Sequence, residues 1–217
     1  METVSKYWYP IQARFQSAVQ SLCNKNNSAR KHLAILLSSL LNLISTLSEL
    51  CEGFISERFQ TTIFPHMSRL FESFLCEDKR KGKDSGNILQ YSKEDKHVLK
   101  SLLVCVDRVF STTGNELAAM VPVVGSIILP FVALDGDVGD TAMTAIKALV
   151  KVDSDCLWRA LLRASGMNIP TRRLLSTNNH IVHPITIHGT TAQTHMEKRC
   201  LQIVRFVEGL PEQTIFY

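Results

Sequence analysis

Apolar residues return at three- and four-residue spacing along most of the chain, and that spacing divides it into helices. Trp8, Ile11, Phe15, Ala18, Val19 and Leu22 predict a first helix over residues 6–22. Pro10 falls in its opening turn, where the missing N–H would have no partner inside the helix. A polar turn at 24–28 leads to a long helix over 29–51. Its Leu33, Leu36, Leu37, Leu40, Leu41, Ile44, Leu47 and Leu50 form a stripe broad enough to predict burial against two neighbours. Gly53 ends that helix, and Phe54, Ile55 and Phe59 mark a short helical connector over 52–60. A second unit opens at Thr61 or Thr62 and carries Ile63, Phe64, Met67, Leu70, Phe71, Phe74 and Leu75. The charged, glycine-containing segment that follows predicts a mobile loop over 77–91. Ser92, with Glu94 and Asp95 behind it, reads as the N-cap of a helix running through Val98, Leu102, Val106 and Phe110 to a stop at Gly114.

The third unit, 115–134, is apolar throughout but bent or broken by Pro122, Gly125 and Pro130. Asp135, Asp137 and Asp140 are expected to cap the next helix, which carries Ala142, Ile146, Ala148, Leu149 and Val150. A short helix over Ser154–Ala164 places Leu157, Trp158, Leu161 and Leu162 on one face. From 166 to 191 the helical period is lost, Pro170 and Pro184 intervene, and an irregular extended segment is predicted. Met196, Cys200, Ile203, Val204 and Val207 then restore it as a C-terminal capping helix and tail over 192–217.

Three of these helix starts share a proline beside large apolar residues: Tyr9-Pro10-Ile11, Phe64-Pro65-His66 and Val121-Pro122-Val123. The prolines are 55 (65 − 10) and 57 (122 − 65) residues apart. Self-similarity at such a period predicts stacked helical hairpins, which present surface rather than house a reaction. The third unit resembles a HEAT repeat, with an aspartate-bearing turn, Val138 and an alanine-rich second helix; Gly139 stands where that repeat usually carries arginine. The expected fold is therefore all-α: an α-α superhelix, a HEAT/armadillo-like α-solenoid over residues 1–165, with an irregular loop before the C-terminal helix.

Composition changes this picture little. The chain has 217 residues, 45% hydrophobic and 20% charged, as globular domains do. Its net charge of +4 comes largely from local runs such as Lys79-Arg80-Lys81, which does not mark a nucleic-acid binder. The cysteines are dispersed and lie mostly in apolar helices, where a reduced thiol acts as a small packing residue. Residues 1–20 hold no secretory pattern. The apolar stretches 33–47 and 117–134 are interrupted by Ser, Asn, Pro and Gly and are expected to fall short of the ~18–20 apolar residues of a membrane span. A cytoplasmic location with access to the nucleus is expected, with neither nucleic acid nor membrane as partner.

Candidate chemistry is sparse. His180, His183, His188 and His195 with Cys200 form the one cluster that suggests a metal, yet no second close pair of ligands answers His180 and His183. There is no nucleophile elbow, and Gly82-Lys83-Asp84-Ser85 lacks the earlier glycine of a phosphate loop. The aspartates around Gly136 lack the bidentate glutamate of an EF-hand. No catalytic residue, metal or cofactor is expected, and the chain is read as a non-enzyme.

Three segments carry a family resemblance: Val150-Lys151-Val152-Asp153-Ser154-Asp155-Cys156-Leu157-Trp158, then His183-Pro184-Ile185-Thr186-Ile187-His188-Gly189, and earlier Cys51-Glu52-Gly53-Phe54-Ile55-Ser56-Glu57-Arg58-Phe59 leading to Phe64-Pro65. In order and spacing they resemble the C-terminal region of the Tel-two-interacting protein one family, the HEAT-type scaffold of the Triple T complex. Members of that family are several times longer. The resemblance implies a non-catalytic scaffold that works with the other Triple T subunits. Through them it would serve phosphatidylinositol-3-kinase-related kinases and the heat-shock-protein-ninety co-chaperone machinery, and hence TOR signalling and the DNA-damage response. Trp158, His183, Pro184, Ile185, Ile187, His188 and Gly189 are the expected capping or partner-docking residues. The competing expectation is a HEAT/armadillo-like adaptor in transport or trafficking.

Overall fold

A computed structural model of the chain describes residues 2–24, 29–81, 91–164 and 190–208. Almost all of them are helical, and among them there is no strand. The helices are α1 (Glu2–Cys23), α2 (Arg30–Leu50), α3 (Glu52–Arg58), α4 (Phe64–Lys81), α5 (Lys93–Thr113), α6 (Val121–Ile128), α7 (Asp137–Val152), α8 (Ser154–Ala164) and α9 (Thr190–Glu208).

Interhelical pairs reveal the architecture. Arg30 meets Asp95, Ser38 meets Ser101, Asn42 meets Arg108 and Ser48 meets Thr112, at sequence separations of 65, 63, 66 and 64. A constant separation means that α2 and α5 lie side by side and run parallel. Lys100 near the start of α5 pairs with Asp137 at the start of α7, and Gly114 just beyond α5 lies against Val152 at the end of α7. Asp140 early in α7 meets Arg199, and Lys151 near its end lies by the Phe206 ring. So α2, α5, α7 and α9 form one parallel row. In a second row α1 lies on α4 (Phe15 on His66, Cys23 on Ser73), α4 reaches Phe131 just past α6 through Phe71, and Leu157 of α8 fills the space beside Gly125 of α6. The core lies between the rows, with Phe15, Phe59, Phe71, Phe74, Phe110 and Phe131 its largest fully buried side chains.

Local chemistry explains several boundaries. Ser92 caps α5: its Oγ accepts from the Asp95 N–H at 3.1 Å and donates to the Asp95 carboxylate at 2.7 Å. That carboxylate, buried, also takes the Arg30 guanidinium at 2.7 Å, so the cap is tied to the seam between α2 and α5. Ser92→Ala is expected to cost ~1 kcal/mol, read as a lower urea midpoint at unchanged slope. Pro122 and Pro130 each sit in the first turn of a helical segment and divide the third unit into a 3-10 stretch (Gly114–Met120), α6 and a second 3-10 stretch (Leu129–Ala133).

Other expectations are corrected. α1 begins at Glu2, so Pro10 lies inside it; burial of Trp8 on one side and Phe15, Ala18, Val19 and Leu22 on the other holds the helix across the lost bond. No new helix opens at Thr61 or Thr62. The chain passes from α3 to α4 through a π-helical turn, Phe59–Ile63, whose extra residue lets Phe59, Ile63 and Phe64 all face inward. The expected loop 77–91 is helical up to Lys81, and Tyr91 packs edge-on against Phe74 at 5.8 Å; residues 82–90 lie outside the described ones. The α2 stripe is only partly buried. Leu37, Leu40, Leu41 and Ile44 face the core, whereas Leu36 and Leu50, and Leu43 outside the predicted stripe, are exposed because the serine side of the helix is turned to α5. By length and composition α2 and the helical run Lys93–Ala133 do reach the threshold for a membrane span, since scattered serines and prolines lower the average little. In the fold α2 lies beside α5, the first part of that run, joined to it by hydroxyl contacts.

Candidate docking site between α7 and α9

The C-terminal end of the rows is built by α8 and α9. Asp153 caps α8, its Oδ1 accepting from the Cys156 N–H at 3.1 Å. Leu157, Trp158, Ala160 and Leu161 are buried beneath it. Trp158, expected as a capping or docking residue, is 6% exposed and offers little surface to a partner. The other expected residues, His183, Pro184, Ile185, Ile187, His188 and Gly189, lie outside the described residues.

α9 closes this end by burying Met196, Cys200, Ile203 and Val204 at helical spacing. Arg199 crosses to α7, placing Nη2 2.7 Å from Asp140 Oδ1 and Nη1 3.4 Å from the Val132 carbonyl. Its guanidinium lies over Gly139, in the space a Cβ there would need. The aspartates pair with side chains of other helices and do not cap α7. The α7 N-cap is Gly136, at φ 72°, with no side-chain capping bond; Asp135 pairs with His195 at 2.7 Å, Asp137 with Lys100 at 3.0 Å, and Asp140 with Arg199. His195, expected to be solvated, is half-buried in this seam.

Above the seam α7 and α9 leave an open groove of about 830 Å³. Met143 gives it an apolar patch, Thr144 and Gln202 line it, and Lys147, Lys198 and Arg199 supply positive charge. Asp140 is the one carboxylate in the lining, and it is engaged by Arg199. At the far end the Phe206 ring is 42% exposed, with the Lys147 ammonium 5.2 Å and the Lys151 ammonium 6.0 Å from its centre. The groove thus offers cations beside an accessible aromatic face, suited to an acidic segment that also carries an apolar residue. Sequence reasoning missed it. Its signal was the one-sided spacing of Met143, Thr144 and Lys147 on one helix and of His195, Lys198, Arg199, Gln202 and Phe206 on another, visible only once the two helices are known to be neighbours.

The remaining chemistry is quiet. Burial pushes the thiols of Cys105 and Cys200 up to about 12 and, with Asp153 adding to it, that of Cys156 up to about 11, so all three stay protonated at neutral pH. Burial also raises the Asp107 carboxyl, against the pull of Lys151 and Arg108. Among the described residues no group of three or more His, Cys, Asp or Glu is placed to hold a metal. Comparison of the chain with protein-family models, with curated proteins and with solved structures gives no match.

Proposed function

We propose that the chain is a non-catalytic adaptor, a HEAT/armadillo-like α-solenoid that binds other proteins along and at the end of its helical stack. The observation that carries this reading is the pair of parallel helix rows, each helix touching chiefly its neighbours, which is how repeat scaffolds build extended binding surfaces. The basic groove between α7 and α9 is the proposed docking site.

The resemblance in the Val150–Trp158, His183–Gly189 and Cys51–Phe59 segments directs the reading further, to the C-terminal part of a Triple T complex subunit. In that role the chain would contact the other Triple T subunits. With the heat-shock-protein-ninety co-chaperones it would support assembly and stability of phosphatidylinositol-3-kinase-related kinases, in the cytoplasm and nucleus. Affinity purification of the tagged chain, with the other Triple T subunits quantified against a tag-only control, tests this. Enrichment of those subunits and, behind them, of the kinases is expected. Recovery at the control level would contradict it.

A further inference from the structure

The opposite end of the helix row carries the chain's exposed apolar surface. Among the described residues six of the eight large apolar side chains left exposed lie on α1 and α2: Tyr7, Tyr9, Ile35, Leu36, Leu43 and Leu50. On α2, Leu36, Leu43 and Leu50 recur every seven residues, with Ser39 and Thr46 between them at three- and four-residue steps, the spacing of a helix-pairing seam. This seam is turned away from α5, which meets α2 through Ser38, Ser48 and Asn42. The Ser39 and Thr46 hydroxyls already donate to the Ile35 and Asn42 carbonyls of their own helix, at 2.9 and 3.0 Å. Covering them with apolar side chains therefore leaves no donor unsatisfied.

We propose that this seam pairs with the same seam of a second copy, α2 antiparallel to α2 about a two-fold axis. The large–small alternation fits itself in that arrangement: Leu36 sits over Thr46 of the other copy, and Leu43 over its Ser39. Charge selects the direction. Lys31 stands near the start of α2 and Glu49 near its end, both exposed on one flank of the seam. Antiparallel pairing sets each lysine beside the other copy's glutamate, whereas parallel pairing would set like charges together. One helix pair with its α1 rim is a small interface, so the dimer is expected to form with Kd ~10 µM. This inference rests on α2 alone and is independent of the adaptor reading.

Sedimentation equilibrium of the full chain across that range is expected to show a mass rising from 24.4 kDa towards twice that value. Leu43→Asp should abolish the rise while helical circular dichroism is kept and the thermal midpoint falls by only a few degrees, the side chain being 39% exposed. Lys31→Glu should weaken association roughly tenfold, and adding Glu49→Lys should restore it. A monomer at every concentration overturns the proposal, whether or not α2 then binds phosphatidylcholine vesicles. So does a dimer indifferent to Leu43 and to the charge exchange.

Discussion

Replacing Gly139 by valine is expected to lower the unfolding free energy by ~3 kcal/mol, the upper end of what overpacking costs. A Cβ at this buried position would run into the Leu134 carbonyl oxygen and the Arg199 guanidinium. The first obstacle is backbone in the turn that launches α7, so it cannot swing aside as a side-chain tip would. The second is the clamp that joins α9 to α7, so the variant should also loosen the C-terminal end, with faster amide exchange in α9 than in α2. Gly53→Ala is the contrasting control. Its Cβ would meet only the Glu116 carboxylate at 3.9 Å, an ordinary contact, and the gain in helix propensity should stabilise the chain by ~0.5–1 kcal/mol. Urea denaturation of the two variants separates them by sign.

The second large effect is functional. Reversing two charges in the groove, Lys147→Glu with Lys198→Glu, is expected to weaken partner binding at least ~100-fold, because like charges brought together at an interface cost several kcal/mol. Neither lysine takes part in the Arg199–Asp140 ion pair that holds α7 to α9, or in the His195–Asp135 contact beside it. Stability should therefore change only by the cation–π contact of Lys147 with Phe206, ~0.5–1 kcal/mol at an exposed site.

How far the chain could be read in advance varied with the physics at each point. Pro10, Pro65 and Pro122 fall in α1, α4 and α6, three members of one row, but only Pro65 and Pro122 stand at a helix start, Pro10 lying well inside α1. The bounds of α8 were legible because Asp153 caps it and its apolar face is unbroken. The π-helical turn at Phe59–Ile63 was not, since a one-residue insertion leaves no capping or breaker residue behind. The fate of the α2 leucines was equally hidden, as period tells which residues share a face but not which face finds a neighbour. The aspartates beside Gly136 were assigned to capping by residue type; the glycine at positive φ took the N-cap place, and the carboxylates found side-chain partners on α5 and α9, dozens of residues away. Arg199 standing over Gly139 belongs to the same class. A glycine at 139 was visible in the sequence, but the side chain from another helix that packs over it was not.

The most direct test of the adaptor reading is a calorimetric titration of the full chain with the purified remaining Triple T subunits, run beside the Lys147→Glu, Lys198→Glu variant. Saturable binding by the wild type, lost in the variant while the fold is kept and the thermal midpoint shifts by no more than about 4 °C, is the predicted result. No binding by the wild type, or binding that ignores the groove charges, would contradict it.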